Sequence, residues 1–191
     1  MRLQHFGDSY DIVKKCLLNW LSPFGPWVAH PMLTETFADK DAEGFAKFLG
    51  VPLVSTEVLH SQTDRSQYFS CCLREESLFL DPDTDVRIAA KGKKKQAYIF
   101  SEEIRNLCEP RKNRLVMSFD QSLAHGSDDA IIETVKEKLQ VLERFGLSTF
   151  AYVSHVAFIV ATASPSIADD ARKTLISASF LPKRRVVSLR D

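Results

Sequence analysis

Short apolar segments and amphipathic helical segments alternate along most of this chain. The clearest apolar segments are SLFL, which leads into Asp81, and RLVMSF, which leads into Asp120. A helical pattern follows each of them, first SEEIRNLCE and later the long SDDAIIETVKEKLQVLERFG. Such alternation is typical of a mainly parallel sheet that is covered by helices. We therefore expect an α/β protein with a three-layer, Rossmann-like fold.

The rest of the sequence completes this pattern. TFAYV and VAFIVAT flank Ser154 and His155, which predicts an antiparallel hairpin near the C-terminus. Further helices are predicted at DSYDIVKKCLLNWL, DAEGFAKFLG and SPSIADDARKTLISASF, and strands at WVAHPML, PLVSTEV and YFSCCL. A chain of 191 residues with no internal repeat fits one domain, so we expect a single unit over 1–191.

Composition excludes several classes of protein. The formal net charge is zero, so a polyanionic partner would have to meet a local basic patch. No apolar run is long enough to span a bilayer and the N-terminus lacks a signal-peptide pattern, so we expect a cytoplasmic protein. The cysteines show no zinc-like spacing. Adjacent Cys71 and Cys72 would point to opposite faces of a strand, so we expect reduced, mostly buried thiols.

Acidic residues follow the two clearest strands. Asp81 and Asp83 come after SLFL, and Asp120 ends RLVMSF. Ligands of parallel sheets bind at the carboxyl ends of strands, so these three carboxylates could ligate one Mg²⁺ or Mn²⁺ ion. His125, in the segment after Asp120, is a candidate metal ligand or proton-transfer group. The alternative is structural, because Asp-Pro-Asp-Thr-Asp is also a favourable turn sequence.

A basic segment lies directly after the first acidic group. Arg87, Lys93, Lys94 and Lys95 are candidate phosphate contacts, although lysine runs are also common in solvated loops. Together the acids and bases predict a divalent-metal-dependent hydrolase or transferase that acts on a phosphate ester, with nucleic acid or a nucleotide as the partner.

The order of elements from Leu78 to about residue 162 also resembles the second half of the class I methyltransferase fold. In that family a strand ends on a D-P-P-Y type motif, and a helix, a strand, a long helix and an antiparallel hairpin follow. Asp81-Pro82-Asp83-Thr84 stands at the motif, with Asp83-Thr84 in place of its proline and aromatic. The resemblance implies S-adenosylmethionine as the cofactor, but the chain after WVAHPML lacks the family's glycine-rich loop. A methyltransferase-like protein, with or without a functional cofactor site, and a non-catalytic binding module are therefore the alternative functions.

Overall fold

The computed structural model describes residues 6–121, 128–179 and 181–190. Its α-helices are α1 (Ser9–Trp20), α2 (Asp39–Leu49), α3 (Arg65–Tyr68), α4 (Ser101–Cys108), α5 (Asp128–Arg144) and α6 (Pro165–Ser179). Its strands are β1 (Trp27–His30), β2 (Ser77–Leu80), β3 (Asp85–Arg87), β4 (Tyr98–Phe100), β5 (Val116–Asp120), β6 (Ser148–Val153), β7 (Ala157–Thr162) and β8 (Val186–Val187).

Six of these strands form one mixed sheet in the order β1-β2-β5-β7-β6-β8. β1, β2 and β5 pair in parallel. β7 pairs antiparallel with both β5 and β6, and β8 pairs antiparallel with β6. Hence β1, β2, β5 and β6 run in one direction, and the sheet is mainly parallel. β3 and β4 form a separate parallel pair beyond the end of β2.

Both faces of the sheet are covered, because alternate side chains of each strand point to opposite sides. Residues of α4 and α5 pack on the face that carries Leu78 and Val116. Residues of α1, α2 and α6 pack on the face that carries Phe79 and Met117. The central strands are buried on both sides, which explains why their sequences are continuous apolar runs rather than alternating ones. In the described ranges, no helix combines the length and the apolar character that crossing a bilayer requires.

The α/β class and the antiparallel pairing of β6 with β7 agree with the sequence prediction. Two predicted strands do not form. PLVSTEV makes only one isolated bridge, between Ala29 and Leu53. YFSCCL is helical: the Asp64 side chain caps α3 by accepting from two backbone amides, and the chain continues into a 3₁₀ turn over Ser70–Arg74. The N-cap at Asp64 sets a helix where side-chain composition favoured a strand.

Candidate functional site

Asp81 directly follows β2 and belongs to a buried ion pair. Its side chain accepts a hydrogen bond from Lys14 Nζ at 2.9 Å, and the same ammonium donates to Asp11 at 2.8 Å. Asp8 caps α1 by accepting from the amides of Tyr10 and Asp11, which fixes the start of the helix that carries Lys14. The first predicted metal ligand is therefore bound to a lysine of α1.

One cation and two acids share this buried position. Burial by itself lowers the pKa of Lys14, but the carboxylates of Asp81 and Asp11 outweigh it and raise that pKa above its ordinary value. Burial raises the pKa of Asp81 even though Lys14 acts to lower it, and the like charge of Asp11 adds to the increase. The two upward shifts have different causes: the two carboxylates raise the pKa of Lys14, whereas burial raises the pKa of Asp81. The cluster favours a charged lysine and holds Asp81 beside it.

Asp120, the last residue of β5, has a separate lysine. Lys138 Nζ on α5 donates to its carboxylate at 2.6 Å and lies 3.9 Å from Asp85 of β3. Asp120 is fully buried, and both Asp85 and Lys138 are nearly so. This contact joins the long helix to the sheet and to the small β3–β4 pair.

The two aspartates point to opposite faces of the sheet. Leu80 pairs with Ser118, so Asp81 is level with Phe119 and shares its face, whereas Asp120 is one residue further and faces the other way. Lys14 accordingly lies over the Phe119 ring, at 4.7 Å from its centroid. Among the described residues, the ligand atoms of Asp81, Asp83 and Asp120 do not form a group that could hold one ion. The structure does not assemble the three-carboxylate Mg²⁺ or Mn²⁺ site that the sequence predicts.

Asp83 instead lines a crevice at the carboxyl ends of β1 and β2. The crevice has a volume of about 270 Å³ and is lined by Thr34, Glu35, Asp83, Lys94, Gln96 and Ala97. Thr34 Oγ1 and Gln96 Oε1 are buried there without a hydrogen-bond partner among the described residues. Buried polar atoms are normally hydrogen-bonded, so two such atoms in one crevice point to a ligand or ordered water as their partner.

The predicted phosphate contacts divide between different environments. The Arg87 guanidinium lies 3.3 Å from the centroid of the Tyr98 ring and donates to the Lys91 carbonyl, so it holds its own loop together. Lys93, Lys94 and Lys95 are exposed, and Lys94 has a left-handed backbone with φ 55°. Of these residues, only Lys94 lines the crevice. His125 lies outside the described residues.

A second group of chemically reactive side chains was missed by the sequence analysis. His30, Cys71 and Cys72 place one ligand atom each within 4.8 Å of the others, and we call them the His–Cys–Cys cluster. The two sulfur atoms are 4.0 Å apart, because Ser70–Arg74 is a 3₁₀ turn and not the predicted strand that would separate them. The cap at Asp64 is the sequence signal that could have revealed this arrangement.

Comparisons with known proteins add no relative to this description. No family model matches the chain, and neither the curated proteins nor the solved structures contain a significant match.

Proposed function

We propose that this chain is a methyltransferase-like protein with a Rossmann-like, three-layer fold, and that its crevice binds S-adenosylmethionine or a close analogue. The order of elements supports the proposal. Asp81 directly follows β2. After the inserted β3–β4 pair, α4, β5, α5 and the β6–β7 hairpin follow in the order that the resemblance implies. The segment Asp81–Thr84, at the place of the D-P-P-Y type motif, leads from β2 to the crevice.

The observation that carries the proposal is the chemistry of the crevice. Glu35 and Asp83 supply carboxylates, Gln96 Oε1 is an acceptor, and Lys94 is the one cationic side chain among the described lining residues. The described residues of the lining therefore have a net charge of about −1 and include several hydrogen-bond acceptors. S-adenosylmethionine carries an ammonium, a sulfonium and hydroxyl donors that match this lining. A phosphate ester brings negative charge and acceptors, which match it poorly, so a metal-dependent phosphate-ester enzyme has less support.

The crevice differs from a glycine-lined cofactor site. After β1 the chain turns through Met32, whose φ of 45° is the left-handed conformation that glycine adopts more easily. Ligand pockets commonly measure about 300–1,000 Å³. At about 270 Å³, this crevice would enclose the polar part of such a ligand and leave the rest on the open surface.

A thermal-shift titration tests the proposal. S-adenosylmethionine at a hundredfold excess over Kd should raise the melting temperature by about 5–10 °C. Asp83→Asn and Gln96→Ala should weaken binding by at least about tenfold, since each removes an acceptor. Glu43→Gln, which changes an exposed acid of α2 outside the crevice, is the matched control and should bind as the unmodified chain does.

Parallel titrations separate the alternative functions. A shift with AMP and Mn²⁺ but none with S-adenosylmethionine would favour the phosphate-ester enzyme and contradict the proposal. The absence of a shift with either ligand would leave the non-catalytic binding module as the better account.

A further inference from the structure

We propose that the His–Cys–Cys cluster is a zinc site with an open fourth position. His30 ends β1, and Cys71 and Cys72 lie in the 3₁₀ turn of Ser70–Arg74. None of the three lines the crevice, so this site is independent of the proposed function.

The spacing of the ligand atoms fits a zinc ion. Zinc–sulfur bonds of about 2.3 Å in a tetrahedral site place two sulfur atoms about 3.8 Å apart. The Cys71 and Cys72 sulfur atoms are 4.0 Å apart, and the His30 ligand atom lies within 4.8 Å of both. One coordination shell therefore requires the sulfur atoms to approach each other by about 0.2 Å and the His30 nitrogen to approach them by up to about 1.2 Å, a movement within the reach of side-chain rotation.

His30 presents a nitrogen that protein contacts leave unused. The side chain is fully buried, and its Nε2 has no hydrogen-bond partner in the described part of the chain. The ring packs against Tyr68 and Phe69, at centroid distances of 4.8 and 5.5 Å. A buried polar atom normally has a partner, and a metal ion beside the two sulfur atoms would supply it.

Charge balance also suits this location. When each thiol gives its proton to solvent and forms a bond to Zn²⁺, two thiolates and one divalent ion have no net charge. A neutral group is the form that a buried position tolerates best. Softer thiolate ligands select zinc over Mg²⁺ or Mn²⁺, which are the ions that we expected from the carboxylates.

The site has room for a fourth ligand. Cys72 is buried but Cys71 is only partly so, and this gives the cluster a route to solvent. Two cysteines and one histidine with water in the fourth position is a ligand set of catalytic zinc sites. Ligation through Nε2 moves the ring proton to Nδ1. The hydrogen bond that the Met32 amide donates to Nδ1 at 3.2 Å must then break, so zinc loading should change the backbone at Met32.

Cobalt binding to the reduced, chelator-treated full chain tests the proposal. Co²⁺ takes the same ligands as zinc and reports thiolate ligation through a sulfur-to-metal charge-transfer absorption. We expect one Co²⁺ per chain, a charge-transfer band, and displacement of that band by Zn²⁺. Cys71→Ser should weaken Co²⁺ binding at least about tenfold and reduce the band, since it removes one of two thiolates. Cys16→Ser is the matched control, because Cys16 is also partly buried but lies on α1.

A second measurement needs no substitution. Zinc should protect Cys71 from alkylation by iodoacetamide while Cys16 remains reactive, as peptide mass spectrometry would show. The zinc proposal is overturned if Co²⁺ gives no charge-transfer band, if Cys71→Ser binds Co²⁺ as tightly as the unmodified chain, or if zinc leaves Cys71 fully reactive.

Discussion

Asp81 follows β2 and Asp120 ends the adjacent parallel strand β5, yet their carboxylates lie on opposite faces of the sheet. Asp81 is paired with Lys14 of α1, and Asp120 with Lys138 of α5. Each lysine belongs to the helical layer that covers the face on which its aspartate lies. The two ion pairs therefore attach different helical layers to the carboxyl ends of neighbouring strands. The acids that the sequence marks as one metal site thus act in two structural contacts.

Removing Lys14 should be strongly destabilising. In Lys14→Met the buried carboxylates of Asp81 and Asp11 lose their cation, and breaking one side of a buried pair costs about 3–5 kcal/mol. The free energy of unfolding in urea measures this loss. In the double variant Lys14→Met/Asp81→Asn the loss should be smaller than the sum of the two single losses, because the second change removes one of the two unpaired carboxylates.

The matched control is Lys136→Ala. Lys136 pairs with Glu133 on the exposed surface of α5, with side chains 36% and 69% exposed, so its loss should cost less than about 1 kcal/mol. Equal costs for Lys14→Met and Lys136→Ala would show that the buried pair contributes no more than a surface pair.

Arg114 should be a second point of high sensitivity. Its side chain is 1% exposed, and its guanidinium donates to the carbonyls of Leu107, Leu73 and Glu75. Arg114→Leu leaves these carbonyls without that donor, and each buried unpaired group costs about 1–3 kcal/mol. We expect a total loss of about 3–5 kcal/mol in urea unfolding.

Arg111→Leu provides the comparison for Arg114. Arg111 is 44% exposed and contacts Glu76 and the Arg74 carbonyl. Its replacement should change the free energy of unfolding by less than about 1 kcal/mol. If Arg111→Leu is as damaging as Arg114→Leu, burial is not the source of the effect.

His30 predicts an acid-sensitive component of stability in the metal-free protein. Burial lowers its pKa from 6.5 to about 4. Between these values the unfolded chain binds the proton more tightly than the folded chain. The contribution is therefore fully present above pH 6.5 and is lost as the pH falls through about 4, for a total of about 3 kcal/mol.

Unfolding free energies measured from pH 7 to pH 4 test this dependence. His30→Asn keeps an acceptor for the Met32 amide but cannot be protonated. Its free energy of unfolding should therefore change between pH 7 and pH 4 by about 3 kcal/mol less than that of the unmodified chain. His60→Asn, which replaces an exposed histidine, is the matched control. Parallel profiles for the unmodified chain and His30→Asn would contradict the expectation.

The positions of the central strands in the sequence could be predicted, because a strand that is buried on both faces has a continuous apolar sequence. SLFL is β2 and the hairpin is β6–β7 for this reason. The direction of Asp81 and Asp120 depends instead on how β2 and β5 are aligned. A shift of one residue in that register moves a side chain to the other face of the sheet. The register cannot be read from the sequence of either strand.

Local capping explains another difference between sequence and structure. Aromatic and thiol side chains in YFSCCL favour a strand by composition, but the Asp64 cap begins a helix just before them.

The contacts of Arg114 could not be predicted from the sequence either. It begins the predicted strand RLVMSF but precedes β5, and the carbonyls that it binds come from segments up to 41 residues away.

The most direct test of the crevice is a crystal soaked in S-adenosylmethionine. The account predicts ligand density between Thr34 and Asp83, with a ligand donor within hydrogen-bond distance of Gln96 Oε1. The same soak of Asp83→Asn crystals should give weaker density. An empty crevice at saturating ligand, or density at another surface, would contradict the central claim.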